Sequence, residues 1–552
     1  MRPRRRAPER HRPTALAPLL ALLLLAAACG SPGSVEGEGS DGAPAAGAVP
    51  DVVAPGASAD PDRATVRVAL LTDPHSLDPR DLLDEEGELV VRALFDGLVD
   101  VAPDGGVEAA AAESWTVEDA GSTYRFLLRA DRFHDGSRVT ARHHAEALLA
   151  AMDPERRPYG REGLLATVRE VEVVGARELI VRLTRPDPLI LYRLSDPALV
   201  PLPDIATREP EAFARGPVGN GPFRMLGPRE PGAFIRLGAW REHPRPPRID
   251  ELVLQIVASD VDGSRRWEDL LDGRLQISPI TPDRRDAARD RFGSPLDGRR
   301  GPGLHELPLV ATYAYGFAID VAPSDDVRLR RAISAAIDRR ALAAALASAA
   351  VEEATAVLPP VVRGWQPTCA HCQRDVGLAR ALVEEWRAAR PEGTPDPRLT
   401  ITYPRGEGHV TIAERVAADI EQVLDLDVRL QARDLGALVR LVEEGRAPLF
   451  RLGLRAPFGG DAAGVGLLGT SFASDAPENR VGWAEPATDE GLAGWSLGTS
   501  AEVVRSVEQR LLDEAVVVPL LWTRPDLVVT PDVRGFHLDP TGRWWPELLH
   551  LR

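Results

Sequence analysis

The sequence predicts an α/β protein built as two or three lobes, and three observations carry the prediction. About 490 residues follow an N-terminal polar tract, more than one small core accommodates. The stretch from Leu399 to Ala432 reads as strand, helix and strand, a crossover unit of an α/β sheet. Strand-like and helix-like segments alternate on both sides of it, and no internal repeat of roughly 20–50 residues is visible, which argues against a solenoid.

The chain opens with Arg2, Arg4, Arg5, Arg6, Arg10 and Arg12, then an apolar run from Ala15 to Ala28, then Cys29. A basic head, a greasy stretch and small residues before a cysteine form the pattern of a bacterial lipoprotein export signal. At about 14 residues the run is shorter than the ~20 that span hydrocarbon. Residues 1–28 are thus expected to be removed, with Cys29 as the first mature residue carrying lipid that holds the protein at the outer side of the cell membrane. Residues 29–62, rich in Gly, Ser, Pro and acid, are expected to form a flexible tether.

Beyond the tether, Thr65–Leu71 alternates as a buried strand, and the rigid loop Thr72–Pro79 follows. A short helix is expected over Leu89–Val99, a strand over Thr123–Arg129, and a hairpin of Val168–Val174 with Glu178–Leu183 around Gly175. Ala311–Ile319 reads as a strand. Val327 to about Ala349 reads as one helix, because Leu329, Ile333 and Ile337 fall four apart, with its arginines in solvent. Thr411-Ile412-Ala413-Glu414 has the pattern of a capping box opening a helix with Ile412, Val416, Ile420 and Val423 on one face.

The net charge of −17 becomes −22 once the leader's six arginines and one glutamate are gone, and such an acidic surface argues against nucleic acid as a partner. All 66 basic residues are arginine. The remaining cysteines, Cys369 and Cys372, are expected to close a small disulfide loop in an oxidising compartment. A zinc site wants four ligands and only His371 is added nearby, and no thioredoxin-like strand precedes the pair, so neither metal nor redox catalysis is expected.

Several short segments fall in a familiar order: Ser76-Leu77-Asp78-Pro79, Leu94-Phe95-Asp96-Gly97-Leu98, Ala112-Glu113-Ser114-Trp115, Tyr124 to Arg129, and Phe133-His134-Asp135-Gly136 before Val139-Thr140-Ala141. Later come Gly219-Asn220-Gly221-Pro222-Phe223, Arg331-Ala332-Ile333, Ala336-Ile337-Asp338-Arg339 and Val533-Arg534-Gly535-Phe536. In these residues the chain resembles the extracytoplasmic solute-binding proteins of family 5, the dipeptide-, oligopeptide- and nickel-binding components of ABC importers, from Arg63 to the C-terminus. Each motif also has a plain structural reading: Asp135-Gly136 is turn chemistry, and Gly219 to Phe223 suits a tight turn at a lobe junction. His143 and His144, adjacent on a helix, face apart and cannot share a metal.

The resemblance implies a two-lobed periplasmic-binding-protein-like α/β fold with an extra subdomain inserted in the first lobe. Its expected parts are lobe I over 63–98, the insert over 99–212, lobe I again over 213–310, lobe II over 311–498 and a return to lobe I over 499–552. It further implies a monomer that closes on a small-molecule or peptide ligand, passes it to ABC permease subunits, and needs no cofactor.

Peptide-binding relatives hold the ligand's amine with an acid in the segment matching Leu454 to Asp461. Here Pro457 takes the acid's place and Asp461 falls four residues later. The candidate ligand-binding residues are His75, Ser76 and Leu77 in the first loop, Tyr313 and Tyr315 on one face of a strand, and Arg455, Phe458 and Asp461.

Two enzyme-like strings compete. Gly494-Trp495-Ser496-Leu497-Gly498 fits the elbow of a secreted serine hydrolase with Ser496 as nucleophile, but Ala487 to Gly491 reads as an acidic loop where a buried strand is required. Gly464 to Gly469 fits G-x-G-x-x-G, yet no strand precedes it and Ser471 to Asn479 does not read as a helix. A lipoprotein that reports its ligand to a sensor, without transport, is the remaining alternative. The sequence thus favours binding over catalysis.

Overall fold

A computed structural model describes residues 64–552 except 83, 159–160, 162, 261, 347–349, 363, 366, 406, 458, 460–461, 477 and 496–499. The export signal, Cys29 and the tether therefore lie outside the described residues, as do Phe458, Asp461 and Ser496.

Two sheets organise the chain. The first has seven strands in the order Phe223–Met225, Phe234–Ala239, Glu251–Ile256, Thr65–Leu70, Ile277–Pro279, Leu527–Val529 and Gly303–His305. The strand Thr65–Leu70 sits centrally, parallel to Glu251–Ile256 with Val66 opposite Leu252; Val66, Val68, Ala69 and Leu70 are buried while Thr65 and Arg67 keep partial exposure. The second sheet has six strands in the order Val351–Glu353, Val517–Thr523, Ala311–Phe317, Leu449–Arg455, Leu399–Pro404 and Val428–Arg433. The last two are parallel and joined by the helix Glu407–Leu424, which is the expected crossover unit.

The chain passes between the sheets at His305 to Ala311 and at Thr523 to Leu527, so two adjacent connectors form the hinge. The expected return at residue 499 is displaced: Val517–Thr523 pairs with Ala311–Phe317 inside the second sheet, so the crossing comes only after Thr523. Arg524 ties the connectors together, facing Glu352 at 3.4 Å, Asp526 at 3.5 Å and Glu306 at 3.8 Å.

A four-stranded antiparallel sheet of Ala112–Glu118, Thr123–Leu128, Glu178–Leu183 and Val168–Val173 forms the inserted subdomain, including the expected hairpin. Three of the short motifs meet where it joins the first lobe. The backbone N–H of Asp96 donates to Asn220 Oδ1 (3.1 Å), and Asn220 Nδ2 returns a bond to the Asp96 carbonyl (3.2 Å). Gly221 N donates to the Leu94 carbonyl, and Gly219 N to His134 Nδ1 at 3.2 Å. A Cβ on Gly219 would fall 1.9 Å from the Leu94 carbonyl oxygen, so only glycine permits this approach. Burial alone would raise the Asp96 carboxyl, but His243 at 3.0 Å and Arg129 at 2.5 Å outweigh it and hold the group well below the usual carboxylate range. The Gly219 to Phe223 turn is thus a junction clasp and Phe133 to Gly136 its counterpart. His143 accepts from Thr140 N as a helix cap while His144 is fully buried.

Four local expectations differ from the structure. The first helix runs over Glu85–Leu94, four residues early, because Asp84 caps it by accepting from Gly87 N (2.7 Å) and Phe95 is already extended. The helix expected from Val327 breaks into Val327–Ala336 and Arg339–Ala345, with Ile337 extended and Asp338 capping the second piece. Two of its arginines are also buried instead of solvated. Arg330 donates to the Glu514 carbonyl (2.6 Å) and Arg339 to the Pro519 carbonyl (2.6 Å), so their forks satisfy backbone oxygens that the helix and strand leave open. Thr411 lies inside the helix that begins at Glu407, not at its cap.

Both enzyme-like strings fall in helical surroundings. Pro486–Ala493 is a helix, so no strand precedes the Ser496 string, and Gly464 to Gly469 lies within the helix Ala463–Phe472. A true elbow or dinucleotide loop needs strand, turn and helix in that order.

Candidate ligand site between the lobes

The largest apolar cluster crosses between the parts of the molecule. Val101, Leu189 and Tyr192 of the insert pack with Val357, Leu358, Trp483, Trp495 and Trp522 of the second lobe. Tyr192 and Trp495 meet edge to face with ring centroids 5.9 Å apart, and Trp365 meets Trp522 at 6.4 Å. Tyr192 is held by its hydroxyl, which donates to the Gly105 carbonyl at 2.9 Å. On the other side, Trp522 lies near the end of a strand that carries a bulge opposite Tyr313 and Ala314; the bulge shifts the alternation, so Val517 and Trp522 both reach this seam while Val518 and Leu520 fill the helix-covered core.

Polar contacts frame the seam. Arg455 of the second lobe pairs with Glu85 at the start of the first lobe's first helix, and Arg185 of the insert pairs with Asp475 at 3.0 Å. Asp539 accepts at Oδ1 from Thr541 N (2.8 Å), Thr541 Oγ1 (2.7 Å) and Arg543 N (2.9 Å). Its Oδ2 presses on Gly459 of the second lobe, where a Cβ would come within 1.9 Å. Glu508, 1% exposed, accepts from Leu358 N at 2.7 Å, and burial pushes its carboxyl up to about 8, so it is protonated at neutral pH. Beside the hinge, a more polar crevice of about 490 Å³ separates Asp283 and Arg285 of the first lobe from Arg340, Glu352 and Glu353 of the second.

The residues expected from sequence divide into three groups. His75 and Arg455 come to the same mouth: His75 N donates to Asp84 Oδ2 (2.6 Å), one residue from the Glu85 that Arg455 holds. Ser76 and Leu77 turn inward; Ser76 Oγ accepts from Asp78 N at 3.0 Å and Leu77 is fully buried in the first lobe's core. Tyr313 and Tyr315 do share a face, 6.2 Å apart, but it is the helix-covered face of the second sheet. Tyr313 lies 2.9 Å from His409 Nδ1 with the Arg451 guanidinium 5.0 Å above its ring, and burial pushes its hydroxyl up to about 12. Both tyrosines are therefore core residues of the second lobe.

Cys369 and Cys372 are joined with a 2.01 Å S–S bond beside His371, whose Nε2 donates to the Leu512 carbonyl at 2.9 Å. With both sulfurs bonded to each other, the trio offers a metal only His371 Nδ1, where a structural zinc takes four ligands.

Sequence reasoning missed Tyr192, Trp365, Trp495, Trp522 and Glu508. Trp495 falls within the hydrolase-like string, one residue before Ser496. The available signal was the tryptophans themselves, large amphipathic side chains, five of whose ten copies fall in the second lobe.

The chain is similar to the oligopeptide-binding protein OppA of Bacillus subtilis, 22% identical over 516 residues and covering 87% of this chain and 91% of that one. It is also similar to the probable deoxycholate-binding periplasmic protein YgiS of Escherichia coli, 24% identical over 523 residues with 87% and 92% covered. Among solved structures it matches the murein tripeptide binding protein MppA of Escherichia coli with a TM-score of 0.67 at 19% identity, over 89% of this chain and 99% of that one. These relatives have the two-lobed architecture found here. The family model described as bacterial extracellular solute-binding proteins, family 5, matches residues 106–475, and the chain belongs to that family of non-enzymatic binding proteins.

Proposed function

We propose that this chain captures a peptide or peptide-like solute between its lobes and delivers it to the permease subunits of an ABC importer. The observation that carries the reading is the Tyr192–Trp495 contact: one ring comes from the insert and the other from the second lobe, so closing the hinge encloses whatever lies between them. Capture needs no chemistry, only contacts from both sides that favour the closed form over the open one. The delivery step follows the kind of relative the chain has, OppA being named for oligopeptide binding. The protein acts as a monomer outside the cytoplasm, held to the cell membrane by lipid on Cys29.

Native mass spectrometry of protein purified from its own host tests the capture, with the bound solute released chemically unchanged. A mixed peptide digest should raise the melting temperature and shrink the radius of gyration in X-ray scattering. A solute recovered cleaved, or no thermal response to any peptide, overturns the reading. Cys29→Ala should move the protein from the membrane fraction to the medium or periplasm.

A further inference from the structure

We infer that the seam takes an uncharged, acceptor-bearing apolar part of the ligand, bound through the indole N–H groups of Trp365, Trp495 and Trp522. The inference rests on the capture reading above and specifies what the captured solute must present.

The indole nitrogens of these three tryptophans are buried and have no hydrogen-bond partner among the described residues. Trp495 and Trp522 are each only 4% exposed. Elsewhere the molecule spends an indole N–H in the ordinary way: Trp545 donates to the Val101 carbonyl at 3.2 Å. Buried donors are normally satisfied, so three left open in one apolar cluster point to an acceptor supplied from outside. An indole N–H only donates, which restricts the partner to groups with lone pairs: amide, ester, ether or hydroxyl oxygens.

The rings around the donors restrict it further. Tyr192, Trp483, Val357, Leu358 and Leu467 surround the same cluster, and none carries a charge. The neighbouring acid Glu508 keeps its proton at neutral pH and spends one oxygen on Leu358 N. Arg455 at the mouth is engaged by Glu85, and Arg193, next to Tyr192, by Asp187. A ligand ammonium or carboxylate buried among these apolar residues would meet no countercharge from them, whereas an apolar body carrying carbonyl oxygens would meet both rings and donors.

The same donors explain why ligand closes the hinge. When the lobes part, water satisfies the indoles; when they close empty, three donors lose that partner. A ligand that brings acceptors removes the penalty only in the closed state, and that differential contact shifts the equilibrium.

The test compares acetyl-trileucine amide, blocked at both ends, with free trileucine, on the full mature chain by calorimetry and thermal unfolding. The blocked probe should bind. Site-specific replacement of Trp495 or Trp522 by 3-benzothienylalanine keeps the bicyclic ring and exchanges the N–H for sulfur, so each should weaken the blocked probe about fivefold. In the unliganded protein the same variants should unfold at the wild-type temperature or above, because they remove an unpaired donor; a merely structural N–H would give the opposite. Binding of free trileucine alone, or wild-type affinity in both benzothienyl variants, overturns the inference. So does a digest that raises the melting temperature while neither trileucine probe binds, and in that case the capture reading stands. If the digest also fails, both fall.

Discussion

Arg455 and Glu85 pair across the mouth between the lobes, each side chain still partly in water at 41% and 48% exposure. One residue away, Asp84 caps the helix and holds the His75 loop, so the ion pair fastens the second lobe to a loop that Asp84 braces.

That pair should bias the unliganded protein toward closure, but weakly. An exposed ion pair contributes about 0.2–1 kcal/mol and is screened by salt. Glu85→Gln should therefore lower the closed-to-open ratio at most about fivefold at low ionic strength. Scattering or distance measurements between labels on the two lobes would read the change. Near 1 M salt the variant and wild type should coincide.

Glu508 should make stability fall as pH rises. Its folded-state carboxyl titrates at about 8 against an ordinary 4.5, so the folded chain retains a proton the unfolded chain has lost. The contribution is fully present below pH 4.5, declines between 4.5 and about 8 at up to about 1.4 kcal/mol per pH unit, and is flat above. Urea unfolding across this window should show the slope in wild type, and Glu508→Gln should flatten it. An unchanged slope in the variant would place the titration elsewhere.

The junction clasp should be intolerant of small changes. Asn220→Ala removes the exchange with Asp96 and the contact to Asp131 at 3.3 Å, and should cost about 2–3 kcal/mol in unfolding free energy. Gly219→Ala places a methyl on the Leu94 carbonyl and should prevent accumulation of folded protein. Gly175→Ala, at a hairpin turn with nothing within 4 Å of the new methyl, is the control and should leave the melting temperature within a degree or two.

Asp84→Ala should cost about 1–2 kcal/mol, since it removes both the helix cap at Gly87 N and the acceptor for His75 N. Hydrogen exchange should accelerate at His75 and Gly87 together. Protection lost at Gly87 alone would mean the loop is held by other contacts.

Much of the secondary structure was legible because it is set by neighbours in sequence. The alternation of Thr65–Leu70, the hairpin around Gly175 and the strands flanking Glu407–Leu424 follow from a period of two or of 3.6 and from turn residues between them. The junction was half legible: the glycines and Asn220 announced a tight turn, but its partners Asp96 and Arg129 lie far away along the chain. The break at Ile337 was hidden, because Leu329, Ile333 and Ile337 keep helical spacing while Asp338 ends the helix by capping the next. Tyr313 and Tyr315 show the limit most clearly. Their alternation correctly put them on one face, yet nothing local says whether helices or the other lobe cover that face.

By itself the sequence determined the α/β class, the motifs of the family and the absence of a strand before the Ser496 string, since each depends on residues within a few positions of one another. Only the tertiary structure decided which distant surfaces meet between the lobes. Tyr192 and Trp495 belong to different parts of the chain, and their contact exists because two connectors let the lobes fold face to face. Periodicity reports which side chains leave water; it carries no information about which distant surface receives them.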